Sequence, residues 1–173
     1  MQQPSSQHLN RKQRRQHLQP PGTPPPLPAQ PATSLSIATI AGVDENHAYE
    51  QYFFDEPTRA RLLKLMSCYE RPLLLCAPSL AVALEDEEAA AGSTSSDYML
   101  LDRDERFAFL RGYREFDLDK PTRLDSFTAD VVFCDPPFAN FPLRSLRDVI
   151  DVLAPPEVPV FLAYNGRRED EVQ

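Results

Sequence analysis

Ala129-Asp130-Val131-Val132-Phe133-Cys134-Asp135-Pro136-Pro137-Phe138 is the stretch whose reading decides the fold. Val131 to Cys134 form an apolar, β-favouring run too short for a helix, so they predict a buried strand. Asp135 ends it. Pro136 and Pro137 fix φ at two successive positions and remove two backbone donors. The first of them also excludes Asp135 from the helical region. A carboxylate, two proline carbonyls and the ring of Phe138 are thereby held at the carboxyl edge of a strand. That edge is where ligands bind in open α/β sheets. The plain alternative is a surface turn after a core strand, because Asp-Pro is a common turn start.

Asp135-Pro136-Pro137-Phe138 resembles the Asp-Pro-Pro-Phe/Tyr motif of amino-group methyltransferases that use S-adenosylmethionine. The chemistry fits these residue types. A carboxylate and a proline carbonyl accept the N–H bonds of a neutral amine and aim its lone pair. The aromatic ring packs against the target or the developing cation. Catalysis of this kind is mostly positioning.

Working outward, Leu73-Leu74-Leu75-Cys76 is an all-apolar run after Pro72 and predicts a central parallel strand. Ala77-Pro78-Ser79 follows, with Ser79 expected to cap a helix from Leu80 to about Ala91 and Gly92 to stop it. A helix start directly after a buried strand suits an anion such as a carboxylate. Tyr98 to Leu101 predict a second strand, which leads into Asp102 and Asp104. Acids at this place hold ribose hydroxyls in nucleotide-binding sheets, although a charged, solvated turn has the same composition. Residues 109–124 read as irregular. Leu143, Leu146, Ile150 and Leu153 mark an amphipathic helix, and Val158 to Tyr164 a last strand. Upstream, Asp55 and Pro57 predict a helix start, with Leu62, Leu65, Met66 and Tyr69 on one face. Tyr52, Phe53 and Phe54 either pack in the core or lay one ring over a cofactor.

Residues 1–33 are rich in Pro and Gln, carry Arg11, Lys12, Arg14 and Arg15, and contain no acid. This segment cannot bury a core and is expected to be a disordered tail, leaving 34–173 as the folded domain. The chain carries a net charge of −8, so residues 34–173 hold 14 basic against 26 acidic residues. A domain this acidic is a poor general binder of polyanions, which argues against a nucleic-acid partner and for a basic or protein one. Cysteines 68, 76 and 134 show neither paired nor metal-type spacing, and no metal site is expected. With no signal-peptide core and no apolar run of membrane length, a reducing, cytoplasmic setting is the expectation.

Further features resemble one family in their order. Glu50-Gln51-Tyr52-Phe53-Phe54-Asp55 is similar to its Gln-aromatic-aromatic-aromatic entry, Cys76-Ala77-Pro78-Ser79-Leu80 to an Ala-Pro-Ser turn used there in place of a glycine-rich loop, and Asp104-Glu105-Arg106-Phe107 to an Asp-Lys-Arg-Phe segment. The family is the eukaryotic lysine methyltransferases of elongation factor 1-alpha, once described as adenine-specific DNA methyltransferases. The resemblance covers about residues 49–165. It implies an α/β, class I (Rossmann-like) methyltransferase sheet with S-adenosylmethionine as donor. It places Ala77, Pro78, Ser79 and Asp104 at the cofactor, where the reading of the residues themselves also puts Asp102 and a ring such as Tyr52 or Phe53. It places Asp135, Pro136, Pro137 and Phe138 at the substrate amine. That family continues past the fifth strand, so the domain at 34–173 is expected to be incomplete at its C-terminus and to lack the last strands. Three functions are compatible with these features: a protein-lysine methyltransferase acting on elongation factor 1-alpha, a nucleic-acid adenine methyltransferase, and an inactive cofactor-binding remnant.

Overall fold

The structure, a computed structural model, describes residues 37–93 and 96–164. The tail at 1–33, expected from its composition to be disordered, lies outside the described residues, as do residues 165–173. The described chain opens with a short antiparallel hairpin, β1 (Thr39–Ile40) and β2 (Val43–Asp44). Its two turn residues, Ala41 and Gly42, both have positive φ, 50° and 77°. Such turns match the twist of the paired strands. The sequence predicts no strand here.

Helix α1 (Glu56–Met66) starts as expected: the Asp55 carboxylate accepts the Thr58 N–H at 2.9 Å and Pro57 lies in the first turn. Strand β3 (Pro72–Leu75) follows, then α2 (Pro78–Ala91), β4 (Met99–Asp102), β5 (Tyr113–Glu115), β6 (Val131–Cys134), α3 (Leu143–Leu153) and β7 (Val160–Leu162). Two corrections to the expected elements arise. Helix α2 begins at Pro78 with Ala77 as its N-cap and no side-chain capping bond. Proline favours the first helical position, so the helix starts two residues earlier and Ser79 lies inside it. Its hydroxyl instead faces the Phe54 N–H at 3.4 Å. The stretch 109–124 is not all irregular either. Tyr113-Arg114-Glu115 pair in parallel with Leu100-Leu101-Asp102.

All five strands β3 to β7 are parallel, in the order β5-β4-β3-β6-β7. The chain winds outward from β3 through β4 to β5, then returns to the other side of β3 to lay down β6 and β7. This is the Rossmann-like class I order, with a topological switch point between β3 and β6. Alternation along the strands divides the core. Leu74, Leu100, Val131 and Phe133 pack with Met66, Leu80, Ala81 and Leu84 of α1 and α2. Leu73, Leu75, Leu101, Val132 and Cys134 pack on the other face with Leu146, Val149 and Leu153 of α3. Leucines 73, 74 and 75 are fully buried, each stabilising the fold by about 2 kcal/mol through loss of apolar surface to water. The register sets Leu75 opposite Cys134, which brings the ends of β3 and β6 level and side by side.

Candidate active site

The strand ends at the switch point open into a cleft of about 800 Å³, its solvent mouth included. Cys76 after β3, Asp102 at the end of β4, Phe116 after β5 and Asp135 after β6 all line it. The β3–α2 turn carries Cys76 at φ +56°, a left-handed conformation that costs a residue with a Cβ about 1–2 kcal/mol. Backbone strain of this kind clusters at functional sites. Cys76 donates its N–H to the Leu101 carbonyl at 2.9 Å, which pins the turn to β4. At the start of α2, Pro78 has no N–H, and the amides of Leu80 and Ala81 both bond to the Ala77 carbonyl. The Ser79 N–H makes no hydrogen bond among the described residues, but Ser79 is buried and is not part of the cleft lining.

Two acids end β4 and they differ. Asp102 is 6% exposed, and burial raises its carboxyl to about 6. It accepts the Asp104 N–H at 2.8 Å. Asp104 is equally buried but strongly partnered. It accepts from Arg106 Nη2 at 2.6 Å and Nε at 2.8 Å, and from Gln51 Nε2 at 3.0 Å. Burial opposes its ionisation, but these donors hold its carboxyl below the usual carboxylate range. Asp104 also caps the short 3-10 turn Glu105–Phe107 through the Arg106 N–H.

On the other side of the switch point, Asp135 donates its N–H to the Leu75 carbonyl at 3.0 Å, continuing the β3–β6 ladder by one step. Its carboxylate forms no hydrogen bond among the described residues. Burial, and next the negative charge of Asp102, raise it to about 7. The Pro137 carbonyl accepts the Asn140 and Phe141 N–H groups at 3.3 and 3.0 Å. The Pro136 carbonyl accepts none among the described residues. Phe138 meets Tyr164, beyond β7, edge to face at 5.0 Å between centroids.

Of the residues singled out from sequence, Tyr52, Pro78, Asp102, Asp104, Asp135 and Pro137 line the cleft. Phe53 does not. Its ring packs against Phe107 in the core. Ala77 and Ser79 are buried in the β3–α2 turn, so only backbone there can face a ligand. Pro136 is buried, and Phe138 stands outside the lining, against Tyr164. Tyr49, Glu50, Arg103, Asp117 and Asp119 complete the walls and were not anticipated. The Arg103 guanidinium lies 5.1 Å above the Tyr49 ring. Among the described lining residues, Glu50, Asp102, Asp104, Asp117, Asp119 and Asp135 thus face one cation, Arg103.

One strap of chain crosses all these strand ends. Phe54 N–H meets Ser79, Gln51 holds Asp104, and the Glu50 carboxylate accepts the Ala139 N–H and the Asn140 side-chain amide, each at 2.8 Å. Among the described residues no helix is long and apolar enough to cross a membrane. No curated protein matches the chain. Residues 45–171 match the model of a family described as "Probable N6-adenine methyltransferase". The match runs from the strap through every strand of the parallel sheet and its acidic cleft, and the chain belongs to this methyltransferase family.

Proposed function

We propose that this protein is a cytoplasmic, S-adenosylmethionine-dependent protein-lysine N-methyltransferase, with elongation factor 1-alpha, the substrate its sequence resemblance implies, as its target. The observation that carries the choice of substrate is the charge of the cleft: six carboxylates against Arg103. Such a wall attracts a cationic side chain and repels a phosphate backbone.

The residues present fit the donor. Asp102 suits its ribose hydroxyls, and the acidic wall suits its ammonium and sulfonium charges. When bound, S-adenosylmethionine supplies an electrophilic methyl group. The chain supplies the rest. The Asp135 carboxylate, held near 7 by burial, takes the proton a lysine ammonium must lose, releases it to water through the open mouth of the cleft, and, ionised again, accepts an N–H of the neutral amine. The Pro136 carbonyl is the second acceptor. Together they orient the lone pair, and Asp135 stabilises the charge that persists on the methylated nitrogen. The Phe138–Tyr164 pair stands beside the cleft lining, on the β7 side.

The family description supports a second substrate, the exocyclic amine of adenine, which the same acceptors could orient. Labelled S-adenosylmethionine, the full chain and cell lysate, with and without nuclease, separate the two. Nuclease-resistant label in a protein band, mapped to a lysine, is the expected result. Label that disappears with nuclease would make the substrate a nucleic acid.

A further inference from the structure

Glu50 has no role in the chemistry described so far, yet it is placed unusually. It follows the 3-10 turn His47–Tyr49 and occupies its C-cap position at φ +54°. That position favours glycine or asparagine, because a Cβ is strained there. The conformation is fixed from both sides. The Glu50 N–H bonds to the His47 carbonyl at 3.2 Å and the Gln51 N–H to the Asn46 carbonyl at 3.1 Å. The consequence lies across the cleft. Glu50 Oε2 accepts the Ala139 N–H and Oε1 accepts from Asn140 Nδ2, both at 2.8 Å, from residues 89 and 90 positions away. Ala139 and Asn140 directly follow the Asp135–Phe138 motif. The next residue along the strap, Gln51, is tied to Asp104 at the opposite wall. One dipeptide therefore ties the β4 side of the cleft to the β6 side.

Within this turn, Asn140 and Phe141 donate to the Pro137 carbonyl, and the two prolines supply no amides of their own. A strained residue that makes two long-range bonds to the turn directly after the motif points to a task in the site. We propose that Glu50 is a positioning residue for methyl transfer. Its carboxylate clasps the Ala139–Asn140 turn, and this sets where the Asp135 carboxylate and the Pro136 carbonyl stand relative to the cofactor wall. The role rests on the methyltransferase activity of the site and is the same for a lysine or an adenine amine.

The test uses the full chain and a donor–acceptor exchange. Glu50→Ala removes both bonds. Asn140→Asp sets two carboxylates against each other. The double variant Glu50→Gln/Asn140→Asp restores the pattern with roles reversed: the glutamine oxygen accepts from Ala139 and its amide donates to the new aspartate. Three quantities are read: hydrogen exchange at the Ala139 amide, the Kd for S-adenosylmethionine, and kcat on the substrate found in the lysate experiment. Glu50→Ala is expected to speed Ala139 exchange and to lower kcat by about tenfold, in keeping with the rate cost of a small misplacement, while the cofactor Kd changes far less. Asn140→Asp should do the same, and the double variant should recover kcat on the order of fivefold above the product of the Glu50→Gln and Asn140→Asp effects, each measured alone. Wild-type kcat in Glu50→Ala with a freed Ala139 amide would overturn the proposal. So would a double variant no better than that product. A wild-type chain that transfers no methyl group to any substrate defeats the methyltransferase reading itself, and is told apart by being inactive before any substitution is made.

Discussion

Asp104 and Asp135 stand on opposite walls of one cleft and carry the same functional group, yet their surroundings treat it in opposite ways. Asp104 is surrounded by donors: Arg106, Gln51 and a backbone N–H converge on it, and its carboxyl is held below the usual range. Asp135 sits among buried strand ends with no donor on its carboxylate among the described residues, beside the negative Asp102, and is raised to about 7. A partnered acid builds structure. An acid kept ionisable near neutral pH, without a partner of its own, is available to one that arrives. The two walls thus differ in job more than in composition, and three measurements can break that distinction or sharpen it.

The largest effect is expected at Asp135. Asp135→Ala should lower methyl transfer by on the order of a hundredfold or more, with the melting temperature held or raised, because the carboxylate has no bond to lose. Asp135→Asn keeps an acceptor oxygen but cannot take a proton. It should be impaired less than alanine and should lose the rise in rate through pH about 7 that Asp135 ionisation gives the wild type. Phe138→Ala removes a ring beside the cleft rather than an acceptor and should cost less than either. An Asp135→Ala protein that turns over at the wild-type rate would return the motif to a surface turn.

At Asp104 the expectation reverses. Asp104→Ala should destabilise the fold by about 2 kcal/mol, as bonds to a buried charged acceptor and a turn cap are lost together. The exposed face of Arg106 keeps the loss from growing further, since the guanidinium can turn to water. Chemical denaturation reads this directly. An unchanged midpoint would show that the Arg106–Gln51–Asp104 network is ornamental and that the acid's duty lies with the cofactor.

The two walls were also unequally legible in the sequence. Val131–Cys134 and the motif stand out because an apolar strand and two consecutive prolines each restrict the backbone locally, whatever the rest of the chain does. Leu73–Leu75 is legible for the same reason. β5 is not: Tyr113-Arg114-Glu115 is three residues long, half polar and at a sheet edge, so neither alternation nor an apolar run marks it. Ser79 looks like a cap because serine prefers that place, but Pro78 takes the first helical position and the hydroxyl finds Phe54. Glu50 and Arg106 act through partners that folding brings from far away, at Ala139–Asn140 and at Gln51. No local pattern carries such a pairing. Only the left-handed backbone at Glu50 signals it, and that signal exists in the structure alone.

The smallest effect expected is on stability as a function of pH, and it has a definite sign. Asp102 and Asp135 are both raised in the folded chain, to about 6 and about 7, from an ordinary value of 3.8. The folded protein therefore holds these protons after the unfolded chain has released them. Their contribution is fully present below pH about 4, declines as pH rises, and is gone above about 7. Asp104, Glu45 and Glu88 are shifted the other way, so they oppose this trend only on the acid side, where their protonation costs stability. Between pH 5 and 8 the ligand-free protein should lose stability, and Asp135→Asn, which cannot ionise, should lose less of it. The gap between variant and wild type should widen from pH 5 to about 7 and then stay level, reaching on the order of 1 kcal/mol once solvent screening of the half-buried carboxylate is allowed for. Asp104→Asn should show the opposite dependence, with its deficit shrinking as pH falls toward 3. A cationic ligand adds the sharper arm. Bound beside Asp135, it favours the ionised form, so saturating S-adenosylmethionine should flatten the neutral-pH slope of the wild type and leave that of Asp135→Asn nearly unchanged. Equal slopes for the two proteins without ligand would mean that Asp135 is already ionised or already partnered, and the contrast between the two walls would be lost.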